Sequence, residues 1–183
     1  MRRAILIATT LFMAFAAAAQ GQLRIEVTVP SSTPLHGHLI FVISKPEKGS
    51  RAQDEPRFQL NEDYWSAQGF GVDDDSTSPT RPIGIDSKAF GYPLHSLADI
   101  PAGDYLVQGV FNVYEQFHLA DGRNLWLPPD KGEGQRWNAK PGNPSDDPVK
   151  VHFDPKYTTP IRITLNKVIP PIEGTDEDPV QIA

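Results

Sequence analysis

The sequence predicts an all-β protein, an antiparallel β-sandwich of immunoglobulin-like or transthyretin-like type that follows a cleaved signal peptide. Three observations carry this expectation. Seven to nine short stretches alternate apolar and polar residues with period two, the pattern of half-buried strands, and turn signals separate them at intervals of roughly ten residues. The 183 residues include 18 prolines and 14 glycines, a composition suited to short strands and shaped turns. No stretch of useful length shows a helical period.

The export signal comes first. Arg2 and Arg3 precede an apolar run from Ala4 to Ala19, and Ala17-Ala18-Ala19 has the small-x-small form of a cleavage site, which makes Gln20 the expected new N-terminus. A run of about 16 residues is short of the roughly 20 that cross a bilayer, and no basic stop-transfer cluster follows it. The expected location is therefore periplasmic or extracellular, with no membrane span after cleavage. The domain plan is a signal peptide over 1–19, one sandwich domain over 20–170 and a Pro-rich acidic tail or linker over 171–183.

Leu23 to Val29 alternates apolar with Arg24, Glu26 and Thr28, which makes it a half-buried first strand. After a turn over Pro30 to Pro34, Gly37 to Ser44 is apolar on both faces, as a central strand is. Lys45 to Glu55 reads as a surface loop. Residues 56–95 are less regular: Arg57 to Leu60 and Gln68 to Val72 read as short strands, Asn61 to Trp65 as a single helical turn, Asp73 to Pro79 as an acidic loop and Pro82 to Asp86 as extended chain.

Leu97 to Tyr114 is the most informative stretch. Pro101-Ala102-Gly103-Asp104 makes a turn, and Tyr105, Val107, Gly109, Phe111 and Val113 then share one face of a long strand. Tyr105 is placed to bond its hydroxyl back to the preceding backbone as a corner tyrosine. Asp121-Gly122 is a tight-turn pair that folds Phe111 to Leu119 onto Arg123 to Leu127 as a hairpin. Pro128 to Pro148 is a long loop, aromatic and specific in composition, of the kind that carries binding residues. Lys150 to Phe153 and Pro160 to Val168 are the remaining strands.

Formal charge is −6, and loss of the two signal arginines makes the mature chain more acidic by two charges, which argues against nucleic acid and anionic lipid as partners. Cysteine is absent, so disulfides, thiolate metal sites and cysteine nucleophiles are excluded. There is no nucleophile elbow, zincin helix, Walker loop or dinucleotide fingerprint, so the expectation is a non-enzyme with no cofactor. His36 and His38, spaced two apart, and Asp73 and Asp75 of the acidic loop are the candidate metal ligands, set against plain surface residues. His95, His118 and His152 read as hydrogen-bonded rim residues. Tyr64, Trp65, Phe70, Trp126 and Trp137 are candidates for a stacking platform, or alternatively for lids on the core.

One resemblance adds to this reading. Leu-Ala-Asp-Ile-Pro-Ala-Gly-Asp-Tyr (97–105), Asn-Val-Tyr (112–114), Phe-His-Leu-Ala-Asp-Gly (117–122), Leu-Trp-Leu-Pro (125–128), Gly-Glu-Gly-Gln-Arg-Trp-Asn (132–138) and Lys-Val-Ile-Pro-Pro-Ile (167–172) resemble the N-terminal β-sandwich region of a family of exported bacterial esterases. In that family a serine hydrolase domain of α/β type follows the sandwich. The resemblance covers residues 23–172 and carries no catalytic serine, acid or histidine onto any position here. It implies an exported, non-catalytic accessory or binding module, partnered by a hydrolase domain or protein. The ligand-binding candidates are Trp126, Glu133, Gln135, Arg136, Trp137 and Asn138. The alternative is a small stand-alone periplasmic protein that binds a metal or a carbohydrate.

Overall fold

The computed structural model describes residues 23–46, 55–62, 66–75, 81–87, 89–154, 156–157 and 159–172. The signal segment, Tyr64, Trp65 and most of the 171–183 tail lie outside them. The described strands are β1 (Ile25–Thr28), β2 (Gly37–Ser44), β3 (Gln68–Asp74), β4 (Ile83–Ile85), β5 (Phe90–Tyr92), β6 (Gly103–Val113), β7 (Glu115–His118), β8 (Asn124–Leu127), β9 (Pro144–Ser145), β10 (Val149–Phe153), β11 (Ile161–Thr164) and β12 (Lys167–Val168). Two single 3-10 turns, Pro56–Phe58 and Leu97–Asp99, are the helical content among the described residues.

The strands form a sandwich. A small sheet, ordered β11-β1-β4, lies against a larger one ordered β12-β9-β6-β2-β3-β5, in which β10 also pairs with β6. Period-two alternation decides which residues meet between them. Ile25, Val27, Ile83, Ile85 and Ile163 come from the small sheet, and Leu39, Phe41, Ile43, Phe70, Val107, Phe111 and Phe153 from the large one, into one buried cluster. Arg24, Glu26 and Arg162 line the solvent side of the small sheet, where both guanidiniums pair with Glu26. Tyr105 caps the core, its ring edge-on to Phe153 and its hydroxyl donating to the Pro101 carbonyl at 3.0 Å, the expected corner bond.

Several local expectations change. The β1–β11 pairing is parallel, register Ile25↔Ile161 to Thr28↔Thr164, within an otherwise antiparallel molecule. Arg57 to Leu60 is not a strand: Pro56 begins a 3-10 turn whose Arg57 amide bonds the Gln108 side chain instead of a ladder. Asp73 and Asp74 are not loop residues but the end of β3, opposite His38 and Gly37. The single strand expected over Pro160 to Val168 is two strands in different sheets, because the chain crosses between them after Thr164. The hairpin turns at Asp121-Gly122 as expected, but β7 and β8 leave the main sheet at Tyr114 and pair only with each other, Phe117 opposite Leu125. Phe70 is core, 1% exposed, and belongs to no platform.

Candidate functional site

The face of the large sheet turned away from the small sheet is where side chains meet solvent. Here β6 presents Gln108, Val110 and Asn112, β2 presents His38, Ile40, Val42 and Ser44, β3 presents Gly69, Gly71 and Asp73, and β5 presents Phe90 and Tyr92. Two loops cover its middle. The 55–60 segment lies over β2 and β6, with the Arg57 amide donating to Gln108 Oε1 at 3.1 Å and Gln108 Nε2 donating to Glu55 Oε2 at 2.8 Å. The 128–148 loop lies over the rest of β6.

That loop is held by a buried polar layer. Asn143 stands opposite Asn112: its Oδ1 accepts from the Val113 amide at 3.0 Å, and its Nδ2 donates to the Trp137 carbonyl at 3.0 Å and to Asn112 Oδ1 at 3.3 Å. Lys140, 2% exposed, donates from Nζ to Asn112 Oδ1 at 3.0 Å and to the Val113 carbonyl at 3.4 Å. Burial pushes its ammonium below the usual lysine range, opposed by the charge of Glu133. Asp146 takes the Gly109 amide on Oδ1 at 2.7 Å, and its carboxyl is pushed up to about 7 by burial. Among the described residues each buried side-chain nitrogen or oxygen has a hydrogen-bond partner, except Glu133 Oε1, Asp146 Oδ2 and Ser44 Oγ.

The structure sorts the candidate residues. Glu133 is 2% exposed; it turns inward and takes the Lys131 amide on Oε2 at 2.7 Å, so it shapes the loop instead of facing a ligand. Asn138 spends its Nδ2 on the Arg57 carbonyl, tying the two covering loops together. Gln135, at a positive φ of 65°, and Arg136 are exposed, and Arg136 Nε bonds the Glu133 carbonyl at 2.9 Å. Trp137 is half-buried. Trp126, on β8, is exposed and stacks face to face on His36, centroids 3.8 Å apart.

His36 and His38 therefore take different partners. His38 Nδ1 lies 2.6 Å from Asp73 Oδ1, which brings one histidine and one aspartate of the metal set together. Asp74 pairs with Arg81 and Asp75 stands apart, and no cluster of three or more metal-ligating side chains occurs among the described residues. Burial, with the charge of Asp73 second, pushes the Tyr114 hydroxyl above its ordinary value. His118 bonds Asn124 and His152 bonds Asp104, each at 2.6 Å, as rim histidines do.

Sequence reasoning missed one surface. Phe90, 74% exposed, and Tyr92 point outward from edge strand β5, with Gly71 and Gly69 as their neighbours on β3. Both glycines are covered by side chains: an added Cβ on Gly71 would meet His38 Nε2, and one on Gly69 would meet the Leu60 side chain. The signal in the chain was an aromatic-glycine-aromatic run at period two, Phe90-Gly91-Tyr92. By register, Tyr92, Phe90, the His38–Asp73 pair, His36 and Trp126 follow one another across this face. A separate cleft of about 580 Å³ opens between the end of β2 and the 93–101 segment, lined by Ile43, Ala67, Leu94, Ile100 and Tyr105. Lys45, Gln59, Ser66 and Gln68 add polar side chains to its walls, while its Ser44 hydroxyl is sealed from solvent.

Comparison with family models, with curated proteins and with solved structures finds no match.

Proposed function

We propose that this chain is an exported, non-catalytic β-sandwich binding module that works beside a hydrolase and holds an extended carbohydrate segment on the outer face of its large sheet. The observation that carries the reading is the ring series Tyr92, Phe90, His38, His36 and Trp126, in which Tyr92, Phe90 and Trp126 are exposed and the two histidines half-buried. Aromatic faces pack against the C–H faces of sugars, and a rigid mount removes the ordering cost that flexible side chains impose on binding. The His38–Asp73 pair adds a polar group within the series. Two independent readings of the chain support the accessory role: the absence of a catalytic motif and the resemblance of residues 23–172 to the region that precedes an esterase domain.

The test is binding of the purified protein to a panel of soluble polysaccharides by affinity electrophoresis, with Trp126→Ala and Phe90→Ala as variants. Loss of one stacking ring is expected to weaken binding by about tenfold, which is about 1.4 kcal/mol. Both rings are exposed, so melting temperature should hold. Retardation by no polysaccharide, or retardation unchanged in both variants, would reject the reading.

A further inference from the structure

The polar layer contains a set of groups that recognition does not use. Lys140 Nζ sits 3.0 Å from Asn112 Oδ1, and among the described residues no carboxylate lies within ion-pair distance of it. Donor-only Lys140 fixes the Asn112 amide with its oxygen toward the amine, and Asn143 Nδ2 donates to that same oxygen at 3.3 Å. Asn143 Nδ2 is the donor that stays on this oxygen when Lys140 acts as the nucleophile, in the manner of an oxyanion-hole donor. Glu133 is the carboxylate whose charge acts most strongly on Lys140, and its Oε1 is dry and without a partner. All four side chains are buried.

We propose that the molecule crosslinks itself: Lys140 Nζ and Asn112 Cγ join in an intramolecular isopeptide bond. Burial disfavours the Lys140 ammonium, which gives up a proton to bulk solvent and becomes an amine. The amine nitrogen attacks Cγ, forming the C–N bond, and the carbonyl electrons move onto Oδ1, to which Asn143 Nδ2 still donates. The surplus proton of the attacking nitrogen passes to Nδ2. The Cγ–Nδ2 bond breaks, the carbonyl re-forms and ammonia leaves. No oxidant, reductant or cofactor enters the balance. A fold that holds amine and carbonyl in contact supplies the effective concentration that amide aminolysis lacks in water. The product ties the 128–148 loop covalently to β6.

The experiment is tryptic peptide mapping of the purified full chain by tandem mass spectrometry. Lys140 precedes proline and is not cut, so the crosslink joins peptide 89–123 to peptide 137–150 as one branched species, short of their sum by one ammonia. The branched species is the readout because cyclisation of a terminal glutamine or of Asn112 also releases ammonia without joining peptides. It should be the major form in the wild-type protein and absent in Lys140→Arg. Recovery of 137–150 only as a linear peptide from the wild-type protein, both fresh and after prolonged incubation in the folded state at neutral pH, would overturn the proposal.

Discussion

The Asp146 carboxyl accepts one hydrogen bond, from the Gly109 amide, and keeps its second oxygen dry. Asp147 and Glu55 add like charge nearby, so the native chain holds a proton on this group up to about pH 7, against an ordinary value of 3.8. The native state thus binds more protons than the unfolded one between those values, and stability falls as pH rises through that window. The gap corresponds to an upper bound on the order of 4 kcal/mol. Asp146→Asn keeps the acceptor for Gly109 and removes the charge. Its melting temperature should exceed that of the wild type at pH 8 and converge with it near pH 4; an equal difference at both values would refute the assignment. Some residues were legible because their cause is local, as with the Tyr105 hydroxyl, which needs only the turn before it. Phe70 was not, since Gly69 and Gly71 beside it carry no side chain to show which face of β3 is inner. Glu133 was misplaced for a related reason: an acidic residue in a Gly-rich loop looks solvated until the strand face behind it proves to be polar.

Among the elements, β2 and β6 were readable in full because β2 is a continuous apolar run and β6 a long period-two strand, and the structure starts and stops them within two residues of the pattern. The hairpin turn was readable as well, but its separation from the main sheet was not. Nothing in Glu115 to His118 shows that the outward partner is a short strand of its own. Likewise Ile161, Ile163 and Leu165 keep their period past the end of β11 at Thr164, so their alternation does not mark where the chain leaves the small sheet. Close approach at the β2–β6 crossing gives a test at this scale. A Cβ on Gly37 would collide with the Asn112 carbonyl oxygen and stand 2.8 Å from the Phe111 ring, both on β6. Gly37→Ala should therefore destabilise the protein by about 1–3 kcal/mol through backbone displacement, measured as a shift of the urea midpoint. It should also move His36 and weaken its stacking on Trp126, seen as a change in tryptophan fluorescence. A variant as stable as the wild type would show that β2 and β6 are not so closely apposed.

For the whole molecule, strand count and turn spacing were sufficient to indicate a sandwich, but the partner of β1 was not. Its neighbour β11 lies far along the chain, joined to it by a ladder that the amide of Ile161 on the Arg24 carbonyl and that of Leu165 on the Thr28 carbonyl extend at its two ends. Because the two strands run in the same direction, tension entering ahead of β1 and leaving after β11 drags them lengthwise past each other. All the rungs then bear force together, whereas antiparallel neighbours pulled from one end open rung by rung. The two-residue β12–β9 contact should peel first at small force. The β1–β11 ladder should then yield as a single abrupt event, at a rate set by its unfolding barrier. In single-molecule stretching, Ile163→Pro, which removes a rung and bends the strand, should lower the rupture force of that event and leave the early peel unchanged; equal rupture forces would show that the load travels elsewhere. This seam sets the sandwich's resistance to load along the axis of its own strands.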